Sequence, residues 1–139
     1  MPHDETVFAE TAAVAGGFSV LLGGLLPWTV SGQGLYASSF YPDGLEVTLR
    51  VAEVFLGALL LAAARGRVPV GSLVLGIFAF LIALPGPFLE VCMGFFSCDV
   101  RPFIGWYLTM IGGALSAVGG FASVWAVVAS LRTERARIL

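Results

Sequence analysis

The longest apolar stretch of the chain runs from Pro102 to Leu131 and contains no charged side chain. A membrane-spanning helix needs only ~20 apolar residues, so this stretch predicts one. Small residues recur within it at alternating steps of four and three, which places them along one side of a helix. They are Gly105, Thr109, Gly112, Ser116, Gly119, Ser123, Ala126 and Ser130. In lipid, small side chains let two helix backbones approach closely, so this series, which we name the C-terminal seam, predicts a helix contact.

A second apolar stretch, residues 8–28, predicts the first span. Its small residues repeat the same spacing, and we name them the N-terminal seam: Ala12, Gly16, Ser19 and Gly23. Two helices with matching seams are expected to be neighbours. Glycine pairs stand at 16–17, 23–24, 112–113 and 119–120. We interpret them as packing positions rather than phosphate loops, because no strand precedes them and no lysine follows.

Two further spans are predicted at residues 45–64 and 68–89, which leaves external loops at 31–44 and 90–101. Small residues in the third span continue the pattern: Ser72, Gly76, Ala79 and Ala83. Because the connections are short, successive helices should run antiparallel. We therefore expect residues 1–139 to form a single domain, an all-α, left-handed four-helix transmembrane bundle with crossing angles of ~+20°. A small external β-hairpin or sheet, within residues 34–41, is also expected.

The composition agrees with a membrane protein and excludes several classes of function. Of the 139 residues, 58% are hydrophobic and 12% are charged, about half the charged fraction of a soluble domain. The single histidine, His3, leaves no basis for a His-dependent metal site or a serine–histidine triad. A net charge of −2 gives no reason to expect a nucleic-acid partner. We therefore expect no enzyme, cofactor or metal site.

Arginine placement predicts the orientation, because cytoplasmic loops are enriched in basic residues. The loop between the second and third spans holds Arg65 and Arg67, and the C-terminal tail holds three more arginines, Arg132, Arg135 and Arg137. The 90–101 loop holds Arg101 alone, and the 31–44 loop holds none. Both termini are therefore expected in the cytoplasm, in a multi-pass protein of the cell membrane. The tail before Val7 has no Lys or Arg, so no cleaved signal peptide is expected.

Cys92 and Cys98, the only cysteines, share one predicted external loop. An oxidising compartment favours a disulfide between them, worth about 2–2.5 kcal/mol for so short a loop. Free thiols and a redox-active pair are the alternatives. Their spacing is not the CxxC of a redox motif.

Two polar groups of residues could carry chemistry. Arg50 and Glu53 lie three residues apart on one face of the second span. They form either a surface ion pair, with Arg50 extending to lipid headgroups, or a polar site for an ion, a substrate or a proton relay. An external aromatic surface is also predicted, from Trp28, Tyr36, Phe40 and Tyr41. It is either an aromatic belt at the membrane interface or a surface that binds a ligand or partner.

Short motifs give the chain two family resemblances. Leu26-Pro27-Trp28 with Ser31-Gly32, and Asp43-Gly44 before the second span, resemble a loose group of small uncharacterised prokaryotic four-span membrane proteins. More distantly, Trp28 followed by Gly34-Leu35-Tyr36 resembles the Trp…Gly-Leu-Trp pattern of claudin-like tetraspan proteins. That resemblance implies a bundle with a small external sheet. It does not imply cell–cell sealing, because the first loop is shorter, Tyr36 replaces the last Trp, and the cysteines lie in the second loop.

Together these features favour a non-enzymatic multi-pass membrane protein that acts as a scaffold or interaction subunit through lateral and external-loop contacts. Its partners would be the lipid bilayer and a protein partner or homo-oligomer in the membrane. The first alternative is an oligomeric small-solute or ion conduit. A membrane thiol oxidoreductase is a further alternative, and it depends on Cys92 and Cys98 alone.

Overall fold

The computed structural model describes residues 2–31, 44–84, 100–102 and 104–139. Most of the described chain is helical, as predicted. The elements are α1 (Pro2–Leu25), β1 (Thr29–Ser31), α2 (Gly44–Arg65), α3 (Pro69–Ala83), β2 (Val100–Pro102) and α4 (Ile104–Ile138). Three of the helices, α1, α2 and α4, are long and apolar enough to cross a membrane, whereas α3 is an apolar helix of 15 residues.

The first helix begins six residues before its predicted start and ends three residues early. Proline suits the first position of a helix, since its missing N–H would be unbonded there in any case. Asp4 and Glu5 follow in the first turn, where the helix dipole favours negative charge. At the other end, Pro27 has no N–H to donate to Gly23, and the helix stops at Leu25.

The third and fourth helices also differ from their predicted bounds. α3 ends at Ala83 rather than at residue 89, because Pro85 cannot donate a hydrogen bond to the preceding turn. Residues 85–99 lie outside the described chain. α4 continues seven residues beyond Leu131, to Ile138. Its last turn contains Arg135 and Arg137, whose positive charges suit the C-terminal end of the helix dipole.

The four helices pack side by side in a ring, in the order α1, α2, α3, α4 and back to α1. Each is antiparallel to both neighbours. Gly119 and Gly105 of α4 face Ala9 and Gly23 of α1. The direction of α2 against α1 follows from the contacts Gly17–Leu61 and Gly24–Val54, and that of α3 against α4 from Leu73–Gly120 and Phe80–Gly113. The start of α1, the turn at residues 66–68 and the end of α4 therefore share one end of the bundle, which we name the terminal end. The opposite end is the loop end. The left-handed crossing remains a prediction.

A short antiparallel strand pair lies at the loop end. β1 pairs with β2 in the register Thr29–Pro102, Val30–Arg101 and Ser31–Val100. The pair joins the chain that leaves α1 to the chain that enters α4. The hairpin predicted within residues 34–41 lies outside the described chain.

Small side chains line the interior of the bundle, and large apolar side chains point outwards. The buried residues include Ala9, Ala12, Ala13, Ala79 and Ala83, and among the side chains that the structure describes the large apolar ones that are buried are Val20, Trp28, Leu56 and Leu60. Several aromatic side chains are more than half exposed, namely Phe8, Phe18, Phe55, Phe78, Phe121 and Trp125. A protein folded in water buries such side chains. This arrangement fits helices whose outer surface contacts lipid.

Candidate functional site

The N-terminal and C-terminal seams face each other across the contact between α1 and α4. A Cβ atom added to Gly112 would lie 2.7 Å from the carbonyl oxygen of Gly16 and 2.7 Å from the amide nitrogen of Val20. Ser19 lies beside the same glycine. Buried Ser116 donates a hydrogen bond of 3.5 Å to the carbonyl of Ala13. The backbones of α1 and α4 are therefore in direct contact along the seams.

Other members of the two seams extend this contact towards both ends, except Ser130, which is exposed and donates to the Val127 carbonyl of its own helix. Gly23 faces Thr109 and Gly105 at the loop end, and Gly119 faces Ala9 at the terminal end. Ala12 is 7% exposed and lies against Gly119. Ser123 is half-buried and donates its hydroxyl to Gly119 within α4, at 3.0 Å.

The glycine pairs have a geometric explanation that the sequence reading missed. Consecutive helical residues point about 100° apart, so two adjacent glycines can face two neighbouring helices. Gly112 faces α1, whereas Gly113 faces α3, where an added Cβ would lie 2.9 Å from the amide nitrogen of Phe80. In the same way, Gly119 faces α1 and Gly120 faces α3. The occurrence of glycines in adjacent pairs was the sequence signal for a helix that packs against two neighbours.

The pairs on α1 serve α4 and α2. Gly16 faces α4, and Gly17 lies against Leu61 of α2. Gly23 also faces α4, while an added Cβ on Gly24 would lie 2.8 Å from the Arg50 carbonyl oxygen and from the Val54 amide nitrogen of α2. Through these glycines, α1 packs closely against α2 and α4, and α4 packs closely against α1 and α3.

Arg50 hydrogen-bonds to the end of α1 rather than to Glu53. Its Nε donates to the carbonyl of Gly24 at 3.2 Å, and its Nη2 donates to the carbonyl of Leu25 at 2.8 Å. The last carbonyls of a helix have no partner within the helix, and the negative end of its dipole attracts a cation. Arg50 therefore caps α1. Glu53 is buried and its carboxyl oxygens accept no hydrogen bond, so of the two predicted alternatives the surface ion pair is not found.

Two tryptophans bond to further carbonyls at the loop end. The indole N–H of Trp28 donates to Gly23 at 3.0 Å, the carbonyl that Pro27 leaves unbonded. Trp28 is 1% exposed, so its predicted place on an exposed aromatic surface is wrong. An aromatic residue after a span suits either a lipid interface or a buried cap, and the pattern alone does not separate them. Trp106 donates to Ala83, near the end of α3, at 2.7 Å. Tyr36, Phe40 and Tyr41 lie outside the described chain.

Glu53 is a fully buried acidic residue of α2. Its side chain is 0% exposed, and neither carboxyl oxygen has a hydrogen-bond partner. It lies on the same buried face of α2 as Leu56 and Leu60. Arg50 and Val54 on either side of it contact Gly24, so Glu53 is level with the last turn of α1. This buried, unpartnered carboxyl is the candidate site.

A cavity of about 340 Å³ occupies the terminal end. All four helices line it, mainly with small side chains such as Ala9, Ala63, Ser72, Gly120 and Ser123. At its rim the Arg67 Nε lies 3.6 Å from Glu10 Oε1, and both side chains are mostly exposed. An exposed pair of this kind contributes little to stability.

The described residues do not reach the cysteines and offer no metal site. Cys92 and Cys98 lie outside the described chain, so their disulfide remains a prediction. Within the part that is described, no three His, Cys, Asp or Glu side chains come close enough together to hold a metal ion. The chain matches no protein-family model, no curated protein and no solved structure.

Proposed function

We propose that this protein is a non-enzymatic, four-span membrane protein, with both termini in the cytoplasm, that acts as an interaction subunit. The glycine contacts support the four spans, because α3 lies against α4 from Pro69, which faces Gly120, to Phe80, which faces Gly113. A helix of 15 residues is about 22 Å long, so α3 would need the chain beyond Ala83 to complete a span of about 30 Å.

The distribution of arginines between the two ends supports the proposed orientation. Arg65, Arg67 and the three arginines of the C-terminal tail belong to the terminal end, and their side chains are exposed. At the loop end, the charge of Arg50 is directed at the carbonyls of α1. In a variant without native cysteines, a thiol reagent added outside cells should label a cysteine at position 38 and not at 66 or 136. The opposite labelling pattern would reverse the orientation.

The length of α4 is the observation that carries the proposed interaction role. Its 35 residues extend about 52 Å, well beyond a bilayer core of about 30 Å. Gly119 and Gly120 already face the early residues of α1 and α3, and every residue from 127 to 139 is exposed. The exposed series combines apolar residues, Val127, Val128 and Leu131, with three arginines. We propose that this extension binds a protein partner at the cytoplasmic surface.

Photo-crosslinking from single positions tests this role in native membranes. A photoreactive residue at Leu131 should give one discrete protein adduct. Val74 of α3 is equally exposed, at 57% for both side chains, and is the matched control, which should give only lipid adducts. Lipid adducts alone at both positions would remove the support for an interaction subunit. An adduct of twice the chain mass would identify a homo-oligomer as the partner.

One observation favours the alternative of a small-solute or ion conduit, namely the buried Glu53. Ionisable residues inside membrane bundles often mark ion or substrate pathways. Against a conduit built by oligomerisation through the seams, both seams are already used within one chain. A flux of ions or small solutes into vesicles that is lost in Glu53→Gln would favour the conduit. The thiol oxidoreductase alternative gains no support from the described residues.

A further inference from the structure

We infer that the carboxyl group of Glu53 is a proton-binding site inside the bundle, reached from the loop end. This inference does not depend on the proposed interaction role, since it concerns a different end of the molecule. It rests on three features of the described residues: the enclosure of Glu53, the engagement of Arg50 elsewhere and the engagement of the nearby carbonyl oxygens.

The first feature is an enclosed carboxyl without a donor. Glu53 is 0% exposed and neither oxygen has a hydrogen-bond partner. An ionised carboxylate in an apolar interior costs much free energy unless a cation or donors accompany it. The carboxyl therefore needs a positive ligand, which could be a nearby side chain, a metal or organic cation, or a proton.

Basic side chains of the packed helices do not fill this role. On α2, Arg50 donates to the carbonyls of Gly24 and Leu25 instead. The other charged residues of α2 are Glu46, an acid two turns before Glu53, and Arg65, three turns after it at the terminal end. The charged residues of α1 are Asp4, Glu5 and Glu10, near its start, and α3 has none. Those of α4 begin at Arg132, and its one titratable group near the loop end, Tyr107, is 50% exposed.

A bound metal or organic cation would need several oxygen ligands and space beside the carboxyl. The backbone oxygens at the end of α1 already accept hydrogen bonds: Gly23 from Trp28, Gly24 and Leu25 from Arg50, and Pro27 from Gly105. The cavity at the terminal end and a second one, lined by Phe8 of α1 and Trp125 of α4, do not include Glu53. A proton needs neither space nor further ligands, so it is the ligand that this site fits.

Release of the proton would affect the cap of α1. Arg50 lies three residues before Glu53 on the same helix, a spacing at which opposite charges interact. A carboxylate accepts charge-assisted hydrogen bonds more strongly than a neutral carbonyl does. When Glu53 is ionised, it therefore competes with Gly24 and Leu25 for the guanidinium of Arg50. Protonation of Glu53 therefore favours the hydrogen bonds that Arg50 donates to the end of α1.

Labelling with a hydrophobic carbodiimide, which reacts with protonated carboxyl groups in apolar surroundings, tests the protonation state. The whole protein in phospholipid vesicles would be labelled at neutral pH and mapped by mass spectrometry. We expect an adduct on Glu53, loss of that adduct at alkaline pH, and none on the exposed carboxyls of Glu10 and Glu134. A folded protein without a Glu53 adduct at any pH would overturn the inference. Protection by sodium, potassium or calcium ions at constant pH would also overturn it, in favour of a cation site.

Thermal unfolding provides a readout that is independent of labelling, with Glu53→Gln as an uncharged mimic of the protonated acid. If the folded protein holds a proton that the unfolded chain releases, wild-type stability must fall as pH rises. The variant lacks this group, so the melting temperature of Glu53→Gln minus that of wild type should increase with pH. A difference that stays constant with pH would contradict a bound proton. Gln at this position is close in shape, so the variant is expected to fold.

Discussion

Helix α3 has two neighbours, and its contacts with them differ in kind. Its buried residues, Ser72, Gly76, Ala79 and Ala83, lie on one face, and this face meets glycines of α4 at backbone range. Its contact with α2 is much smaller, although a turn of only three residues joins the two helices. Near that turn, Gly71 meets side-chain atoms, with an added Cβ at 3.3 Å from Ala63 Cβ.

The same contrast holds around the ring. The most extensive contact is between α1 and α4, the two helices that are farthest apart in the chain, and both carry a small-residue seam. The contact between α2 and α3 is the smallest of the four neighbouring contacts. Small side chains allow helices to approach closely in lipid. Close contact in this bundle therefore follows the small-residue seams and not proximity along the chain.

The largest effect is expected where two backbones meet. In Gly112→Leu, the Cβ atom would lie 2.7 Å from backbone atoms of Gly16 and Val20. A side chain could avoid such a clash by changing its rotamer, but a helix backbone cannot, so α1 and α4 would have to move apart. Overpacking of a tight site costs about 1–3 kcal/mol and occasionally more, and we expect the upper part of that range. Thermal unfolding in detergent micelles measures the cost.

The neighbouring residue Ile111 supplies the control for this substitution. It is 55% exposed and points away from α1, so Ile111→Leu should leave the melting temperature nearly unchanged. If both variants melt alike, close backbone contact is not what holds α1 and α4 together. An engineered cysteine pair at Ser19 and Ser116 should also crosslink within one chain, because Ser19 lies beside Gly112 and Ser116 lies beside Gly16 across the same helix contact.

The seam residues illustrate what the sequence can predict. A glycine or serine repeated at a fixed helical period indicates which face lies near another helix, whatever the partner. The partner of Arg50 could not be found in this way, because Gly24 is 26 residues away and their meeting depends on how α2 sits against α1. The absence of a hydrogen-bond partner for Glu53 has the same cause, because Arg50, its nearest basic residue along the chain, bonds to α1 instead.

A pair of glycine-to-alanine variants compares the two sides of α3 directly. In Gly120→Ala, the new Cβ would lie 2.7 Å from Leu73 Cα and 2.8 Å from the carbonyl oxygen of Pro69. The two helices must move apart, and we expect a net cost of about 1–2 kcal/mol. In Gly71→Ala, the nearest atoms are side-chain carbons at 3.3 Å, and alanine favours the helix by about 1 kcal/mol.

We therefore expect Gly71→Ala to change the stability by less than about 0.5 kcal/mol, with the gain in helix propensity offsetting the tighter contact. Chemical or thermal unfolding of the two variants, in the same detergent, provides the comparison. An equal loss of stability in both would mean that α3 is held as closely by α2 as by α4.

The contact between α1 and α2 should depend on Arg50 at the loop end. Arg50→Gln removes a charged donor from the carbonyls of Gly24 and Leu25, at an expected cost of about 1 kcal/mol, because the site is only part-buried. Hydrogen exchange should show faster exchange of the amides in the last turn of α1. The amides of α4 from Gly112 to Gly119, which lie in the middle of a long helix, serve as the internal reference. Unchanged protection at the end of α1 would contradict the capping role.

The only expected gain in stability concerns the turn between α2 and α3. Val68 donates to Ala63 and Arg67 donates to Ala64, the two hydrogen bonds of a Schellman motif, which places Arg67 at the position where glycine is usual. Arg67 has a φ of 54°, a left-handed conformation that costs a residue with a Cβ roughly 1–2 kcal/mol. A glycine at this position would avoid that cost, but part of the gain in stability would be lost because glycine raises the conformational entropy of the unfolded chain.

We therefore expect Arg67→Gly to raise the unfolding free energy by about 0.5–1 kcal/mol. Arg67→Ala is the matched control, because it removes the same contact with Glu10 but keeps the Cβ, and it should not stabilise the protein. If both variants destabilise it equally, the Arg67 side chain stabilises the rim of the terminal cavity by more than its exposed ion pair suggests. If only the glycine variant is more stable, the left-handed conformation of Arg67 strains the turn between α2 and α3, the pair of neighbouring helices with the smallest contact.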